Sequence, residues 1–327
     1  MVEKIAIIGA GSWGTTLAVL LGDKGYKINL WVREKELVDE INIKRENTRY
    51  LKNIKIPEAV KANDSLKEVI DGADLIVNAV PVQFAREVAK EYAGFVKENS
   101  IIVNVAKGLE LSTHKTMSQV LGEELKNIEL VSLSGPNHAE EVSRKIPTAT
   151  VIASDNIEIL EKVKEIFSTD YFKVYPHDDI MGIEICGAVK NITAIATGVC
   201  DGLGYGDNSR ASIITLGLME MNNFGRHFGA KRKTVYGLAG VGDLVATCTS
   251  KHSRNRFVGE KIAEGKSLEE IKKEMHGMIA EGVKTTKAVY EFSVKNNIYM
   301  PLTKQVYHVL YEKKDLKKAI ADFIRFI

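Results

Sequence analysis

Short apolar runs alternate with amphipathic segments through the first half of the chain. The runs are rich in β-branched residues and predict strands at 4–8, 27–31, 74–80, 100–106, 129–135, 148–154 and 171–175. Apolar residues at helical spacing predict helices at 15–24, 35–43, 84–92 and 156–167. This alternation is typical of a parallel sheet that helices cover on both faces.

From about Asp179 the pattern changes to long segments with helical period. Ala288, Val289 and Phe292 share one helix face, and Pro301 suits a helix start. The most apolar stretch, 180–200, carries a lysine and a glutamate that would be costly in lipid, so we interpret it as a buried helix. The prediction is an α/β fold in two domains, a doubly wound sheet at 1–178 and an all-helical domain at 179–327.

Composition narrows the class of protein. The 45 basic and 43 acidic residues are interspersed, which gives no electrostatic case for nucleic acid or an anionic membrane. The three cysteines form no C-x-x-C pair, and no basic stretch and apolar core mark the N-terminus for secretion, so a cytoplasmic location is expected. Cys248 and His252 lie four residues apart without further ligands nearby, so no metal site is expected.

The sequence GAGSWG follows the first predicted strand and opens a helix. This is the context in which a G-x-G-x-x-G turn binds a dinucleotide. Gly9 permits the tight turn, Gly11 lets a pyrophosphate approach, and Gly14 lets helix and strand pack closely. The alternative is a plain bend between strand and helix. The context favours the first reading and a Rossmann-like domain.

The residues after the second strand bear on the choice of nicotinamide cofactor. Arg33 could neutralise a 2'-phosphate and so favours NADPH, while Glu34 beside it leaves NADH open. Either side chain could also be solvated surface.

Lys190 lies within the apolar run 180–200, with Asn191 next to it. Burial disfavours a charged ammonium and lowers its pKa, which makes a lysine usable in proton transfer near neutral pH. The alternative is a lysine whose stem runs along the apolar surface to water.

Two later segments contain candidate binding groups. Gly237, Gly240 and Gly242 indicate a loop that something approaches closely, and Asp243 after them could be an N-cap or a functional carboxylate. The run 253–256, Ser-Arg-Asn-Arg, could bind a phosphate or could be an exposed basic helix start. Lys107 and the loop from Gly135 follow strand ends, where doubly wound folds bind ligands.

With these pieces together, the chain resembles the bacterial-type NAD(P)-dependent glycerol-3-phosphate dehydrogenases. The resemblance runs through nearly the whole chain, in GAGSWG, NAVP, AKGLE, LSGPNHAEEV, GAVKNI, DGLGYGDN, GLAGVGDLVATCTSKHSRNR and AEGVKTTK. It implies reversible reduction of dihydroxyacetone phosphate to sn-glycerol 3-phosphate for phospholipid synthesis. It also makes a homodimer reasonable to expect.

The resemblance implies roles for individual residues. The catalytic positions are Lys190, as the proton acceptor, with Lys107, Asn191, Asp243 and Thr247 around the reacting carbon. The substrate-binding positions are Lys107, Gly135, Asn137, Lys190, Asp243, Ser253, Arg254 and Asn255. The cofactor-binding positions are the three turn glycines together with Ser12, Trp13, Arg33, Lys107, Ala139, Arg254, Ile279 and Glu281.

The chain departs from the family pattern at two positions. Asn137 stands where the family usually has Ser or Thr, and Leu216 stands where it usually has Arg. Two rival functions remain open from the residues alone: a dehydrogenase of β-hydroxy acids or ketopantoate, whose substrate is a carboxylate, and a catalytically silent NAD(P)-sensing module.

Overall fold

The structure is a computed structural model that describes residues 2–275, 278 and 280–324. It divides into two compact units. The sheet unit comprises Met1–Ala106 and Met117–Ile180, and the helical unit comprises Lys107–Thr116 and Met181–Ile327. The predicted boundary after residue 178 lies close to the second break, but the sequence pattern did not indicate that Lys107–Thr116 belongs with the helices.

The described residues of the sheet unit form eight strands in one sheet. They are β1 Lys4–Ile8, β2 Lys27–Trp31, β3 Val60–Asn63, β4 Leu75–Asn78, β5 Ile101–Asn104, β6 Glu129–Ser134, β7 Thr148–Ala153 and β8 Phe172–His177. Their order is β3-β2-β1-β4-β5-β6-β7-β8. All neighbours are parallel except β6 and β7, which are antiparallel. The doubly wound sheet is confirmed; β3 and the antiparallel pair were not foreseen.

Helices cover this sheet on both faces. They are α1 Ser12–Asp23, α2 Lys35–Asp39, α3 Leu66–Ile70, α4 Val82–Tyr92, α5 Met117–Glu124, α6 Ala139–Val142 and α7 Glu158–Phe167. Successive residues of β1 point to opposite faces: Ile5 and Ile7 join one buried apolar cluster, and Ala6 and Ile8 join another. Both faces of the central strand are therefore core, which explains why its sequence is a continuous apolar run.

The helical unit is built around one long buried helix. Its helices are α8 Ile180–Gly202, α9 Asp207–His227, α10 Arg232–Val235, α11 Asp243–Thr249, α12 Arg254–Ala263, α13 Leu268–Glu274, α14 Glu281–Lys295, α15 Pro301–Glu312 and α16 Leu316–Ile324. The most apolar window of α8 has the length and composition of a membrane-spanning helix, yet 94% of it is buried inside the protein. The prediction of a buried core helix is confirmed.

The segment Lys107–Thr116 leaves the end of β5 and packs into the core of the helical unit. Leu109 is fully buried in the apolar cluster around α8, and Leu111 packs against it. The ring of His114 lies edge-on to Phe292 of α14 with centroids 5.9 Å apart. These contacts fix the position of Lys107 within the helical unit.

Candidate active site

The glycine turn after β1 leaves space where a dinucleotide phosphate would lie. Gly9 has a φ of +114°, and an added Cβ would lie 2.8 Å from the carbonyl oxygen of Ala79. An added Cβ at Gly14 would overlap the carbonyl of Gly9, whereas at Gly11 it would meet nothing within 4 Å. The turn therefore requires two of its glycines for its own packing. Gly11 is the one that faces open space.

The first turn of α1 offers unused hydrogen-bond donors beside that space. Among the described residues, the main-chain N–H groups of Ser12, Trp13 and Gly14 donate no hydrogen bond to any acceptor. The indole Nε1 of Trp13 is also buried without a partner there. A helix N-terminus with free N–H groups attracts anions, so the residues present fit the pyrophosphate of a nicotinamide dinucleotide.

Two further groups hold this turn in shape. The amide Nδ2 of Asn47, which is fully buried, donates to the Ala10 carbonyl at 2.9 Å and to Thr15 Oγ1 at 2.8 Å. The Thr16 hydroxyl donates to the carbonyl of Ala139, the first residue of α6, at 3.3 Å. The candidate Ala139 therefore lies against the first turns of α1. The sequence pattern gave no signal for Asn47.

A charged cluster follows β2, where the ribose of a bound dinucleotide is expected. Arg33 is largely exposed and donates to Glu34 Oε1 at 3.0 Å, and the Tyr50 hydroxyl donates to the same oxygen at 3.1 Å. Arg49 lies 3.9 Å from that carboxylate and over the ring of Tyr50. Partial burial opposes it, but the bonds from Arg33 and Tyr50 hold the pKa of Glu34 below its ordinary value. Two guanidinium groups thus surround one carboxylate, and Arg49 was missed from the sequence.

In the helical unit, Lys107, Lys190, Asp243 and Thr247 form one buried cluster. The Lys190 ammonium lies 2.8 Å from Asp243 Oδ1 and donates to Thr247 Oγ1 at 2.5 Å. The Lys107 ammonium donates to Asp243 Oδ2 at 2.8 Å, and the Thr247 hydroxyl donates to Asp243 Oδ1 at 3.2 Å. The side chains of Lys190 and Asp243 are only 6% and 3% exposed. The reading of Lys190 as a lysine that reaches water is therefore wrong.

The glycines before Asp243 have a local cause. Leu238–Gly242 forms a turn of π-helix directly before α11, and an added Cβ at Gly240 would overlap the carbonyl of Val235. The group that closely approaches this loop at Gly240 is therefore the chain's own backbone at Val235. The arrangement places Asp243 and Thr247 one turn apart on α11, both facing Lys190.

The cluster holds two ammonium groups and one carboxylate. Burial alone would raise the pKa of Asp243, but the charges of Lys107 and Lys190 outweigh it and lower that pKa. Burial lowers the pKa of Lys107 to about 8; Asp243 opposes this decrease and the positive charge of Lys190 adds to it. When all three groups are ionised, the cluster carries one net positive charge.

Asn191 and Asn255 connect three helices next to this cluster. Asn191 Nδ2 donates to the carbonyl of Gly187 at 3.2 Å and, weakly, to that of Lys107 at 3.4 Å. Asn255 Nδ2 donates to Asn191 Oδ1 at 2.9 Å, and Asn255 Oδ1 accepts from the main-chain N–H of Gly282 at 2.9 Å. Glu281, a cofactor candidate, is the first residue of α14 and immediately precedes that glycine.

The start of α12 has the features of a phosphate site. Ser253 is its N-cap and accepts from the N–H of Arg256 at 3.2 Å. Arg254 is exposed and pairs with no side chain in the part of the chain that the structure describes. The N–H groups of Arg254 and Asn255 likewise have no described acceptor. A free guanidinium beside free helix N–H groups suits a doubly charged oxyanion.

The remaining residues singled out from the sequence lie in the sheet unit, on α9 of the helical unit or outside the described residues. Gly135, with a φ of +148°, packs against Thr150 of β7, whose Oγ1 accepts from Asn137 Nδ2 at 3.2 Å. One donor of Asn137 is therefore already engaged. Leu216 is buried on α9. Ile279 lies outside the described residues.

Comparisons with known proteins cover nearly the whole chain. A family model described as NAD-dependent glycerol-3-phosphate dehydrogenase N-terminus matches residues 4–160, and the corresponding C-terminus model matches residues 179–321. A Chlorobium limicola protein named glycerol-3-phosphate dehydrogenase [NAD(P)+] is 49% identical over 98% of this chain and 97% of its own length. A Clostridium perfringens protein of the same name is 47% identical over 98% and 96%.

The fold also matches a solved structure. A crystal structure of glycerol-3-phosphate dehydrogenase from Coxiella burnetii superposes with a TM-score of 0.95 at 40% identity, covering 98% of both chains.

Proposed function

This chain belongs to the NAD-dependent glycerol-3-phosphate dehydrogenase family, and on that premise we propose that it reduces dihydroxyacetone phosphate to sn-glycerol 3-phosphate, reversibly. One observation carries the proposal. Lys190 uses two of its three N–H bonds on Asp243 and Thr247, and the third has no acceptor among the described residues. That N–H is free to donate to a substrate oxygen.

The reduction adds a hydride to the carbonyl carbon and a proton to its oxygen, and bound NAD(P)H supplies the hydride. Lys190 donates the proton to the developing alkoxide and accepts it in the reverse direction. Lys107, with a second ammonium on the same carboxylate, stabilises the negative charge on that oxygen. Asp243 and Thr247 orient Lys190. Asn191, the next residue of α8, donates to the main-chain carbonyl of Lys107 and so helps to position that lysine.

The substrate phosphate binds at the start of α12. Ser253, Arg254 and Asn255 present a hydroxyl, a guanidinium and main-chain N–H groups there. Gly135 and Asn137 are proposed to complete the substrate contacts. Holding the phosphate orients the remote carbonyl toward the ammonium of Lys190, because binding energy gained away from the reaction is used for alignment.

We propose NADPH as the favoured cofactor, with NADH accepted. The turn glycines, Ser12, Trp13 and Ala139 are proposed to bind the pyrophosphate end, and Ile279 and Glu281 to contact the remainder. Support for NADPH comes from Arg33 and Arg49 around a single carboxylate, since a 2'-phosphate pairs well with guanidinium groups.

Arg33→Ala tests the cofactor proposal. It should raise KM for NADPH about tenfold, the loss of roughly one exposed charge-assisted contact, while leaving KM for NADH within twofold. Lys35→Ala, which removes an 85% exposed lysine two residues away, is the matched control. An equal rise in KM for both cofactors would contradict the assignment of Arg33 to the 2'-phosphate.

We further propose that the protein works in the cytoplasm, supplies glycerol phosphate for phospholipid synthesis and forms a homodimer. Three buried free cysteines are compatible with a reducing compartment. The homodimer is proposed from membership of the family. Light scattering of the purified chain should give twice its own mass; the mass of one chain would contradict the dimer.

An absorbance assay at the nicotinamide band tests the proposed reaction. Purified protein with NADPH or NADH should consume the cofactor when dihydroxyacetone phosphate is added. Consumption only with a 2-keto carboxylate would favour the β-hydroxy acid or ketopantoate alternative. Cofactor binding without turnover on either substrate would favour a sensing module.

A further inference from the structure

Asp201 joins three helices of the helical unit through a buried carboxylate. It lies in the last turn of α8, and its side chain is 7% exposed. Its Oδ1 accepts from Arg210 of α9, from Nε at 3.0 Å and Nη2 at 2.6 Å. Its Oδ2 accepts from Arg256 Nε of α12 at 2.7 Å. Both oxygens are thus engaged by guanidinium groups, and no role was expected for this residue from the sequence.

Arg256 belongs to the same helical turn as the phosphate candidates. Its main-chain N–H donates to Ser253 Oγ, so its position fixes the N-cap. Its backbone rests on α8, because an added Cβ at Gly198 would overlap the Arg256 carbonyl. Its Nη2 lies 2.9 Å from Glu260 one turn along α12. The first turn of α12 is therefore held on α8 by backbone packing at Gly198, by the hydrogen bond from Asn255 to Asn191 and by the ion pair at Asp201.

One helix thus connects the two ends of the proposed site. Lys190 and Asp201 are eleven positions apart on α8, about 16 Å along a helix that rises 1.5 Å per residue. The Lys190 ammonium and the residue that anchors the phosphate-binding turn are consequently parts of one rigid element. A change at Asp201 would move the donors of α12 without touching Lys190, Asp243 or Thr247.

We propose that Asp201 is a positioning residue for the substrate phosphate: through Arg256 it holds the first turn of α12 where Ser253, Arg254 and Asn255 can bind that phosphate. The inference rests on the proposed function. It assigns to Asp201 a share of substrate affinity rather than a part in proton transfer. Arg210 donates to the other oxygen of the same carboxylate and links Asp201 to α9, whereas Arg256 links it to α12.

Asp201→Asn in the full chain tests the proposal, with kcat and KM for dihydroxyacetone phosphate and Kd for NADPH as readouts. KM should rise about tenfold, the usual scale for a displaced charge-assisted contact. The kcat value should change less than twofold, and Kd for NADPH should not change. Arg256→Lys keeps the charge but loses the Nε donor and should show the same split between KM and kcat.

Two controls separate positioning from general stabilisation. Arg210→Ala removes the other guanidinium of Asp201 and should lower the melting temperature while leaving KM within twofold. Asp207→Asn, which removes an almost fully exposed partner of Arg210, should change neither quantity. An unchanged KM in both Asp201→Asn and Arg256→Lys, or an equal rise in KM in Arg210→Ala, would overturn the inference. Failure of the unmodified protein to reduce dihydroxyacetone phosphate would instead overturn the proposed function.

Discussion

Asp243 shows what a residue pattern can and cannot reveal about a site. From the sequence it could be an N-cap, since Asp is a preferred residue there, or a functional carboxylate. In the structure Gly242 is the N-cap of α11, so the N-cap interpretation of Asp243 is wrong. Asp243 is the first residue of the helix, and its carboxylate is buried between the ammonium groups of Lys107 and Lys190. Those lysines lie 136 and 53 positions away along the chain. No local pattern could show that one carboxylate compensates both charges.

Asp243→Asn should destabilise the protein as well as inactivate it. The substitution leaves two buried ammonium groups without a counter-charge, and removing one partner of a buried ion pair costs roughly 3–5 kcal/mol. Urea unfolding at pH 7 measures the loss. Asp207→Asn, at a surface ion pair, serves as the control and should leave the midpoint unchanged. A loss below about 1 kcal/mol for Asp243→Asn would mean that the cluster does not need its carboxylate.

The pKa of Lys107 predicts the alkaline limit of activity. As the pH rises through about 8, this ammonium loses its proton and the cluster loses its net positive charge. We therefore expect kcat/KM for ketone reduction to decline above pH 8. Lys107→Arg keeps its charge and should move that decline to higher pH, whatever its effect on the maximal rate. An unchanged pH profile of kcat/KM would show that the loss of the Lys107 proton does not cause the decline.

The lowered pKa of Lys107 also makes the free energy of unfolding depend on pH. An unfolded chain keeps the Lys107 proton up to about pH 10.5, whereas the folded chain releases it near 8. Between these values the unfolded state binds more protons, so the contribution of this group to the unfolding free energy rises with pH.

Glycine contacts set the distance between helices α8 and α12. An added Cβ at Gly198 would overlap the carbonyl of Arg256, and one at Gly259 would overlap the carbonyl of Ile195. The two helices therefore lie backbone against backbone directly beside the proposed phosphate site. The sequence contains both glycines, but only their positions on facing helices show that close packing requires them.

Gly259→Ala should destabilise the helical unit by roughly 1–3 kcal/mol, because overpacking forces the two backbones apart. It should also raise KM for dihydroxyacetone phosphate, since α12 carries the phosphate donors. Gly206→Ala is the matched control: it precedes α9 with a φ of −88°, and its added Cβ would meet nothing within 4 Å. Equal stability of the two variants by urea unfolding would show that the helices tolerate a wider separation.

The apolar pattern predicted most of the architecture. The strands of the sheet follow from runs such as 4–8 and 101–104, because buried parallel strands are apolar on both faces. The edge strand β3 was missed since its four residues alternate buried and exposed positions around Lys61. The departure of Lys107–Thr116 into the helical unit depends on Leu109 and Leu111 finding a distant core, which no local pattern shows.

The candidate site was predictable where a motif carries a local mechanism. GAGSWG gave the turn and α1, and the apolar surroundings of Lys190 gave its burial. Asn47, Arg49 and Asp201 were missed, because none belongs to a motif with a mechanism of its own and each has a partner that is not its neighbour in sequence, namely Ala10, Glu34 and Arg256.

Lys190 is proposed to transfer the proton in a nicotinamide-dependent reduction of dihydroxyacetone phosphate. The most direct measurement is the kcat of Lys190→Ala at the nicotinamide absorbance band, together with its Kd for NADPH by fluorescence. Loss of a general acid predicts a decrease in kcat of roughly 10²–10⁴-fold with Kd for NADPH nearly unchanged. A variant that retains more than about a tenth of the normal kcat would contradict the proposed role of Lys190 as the proton donor.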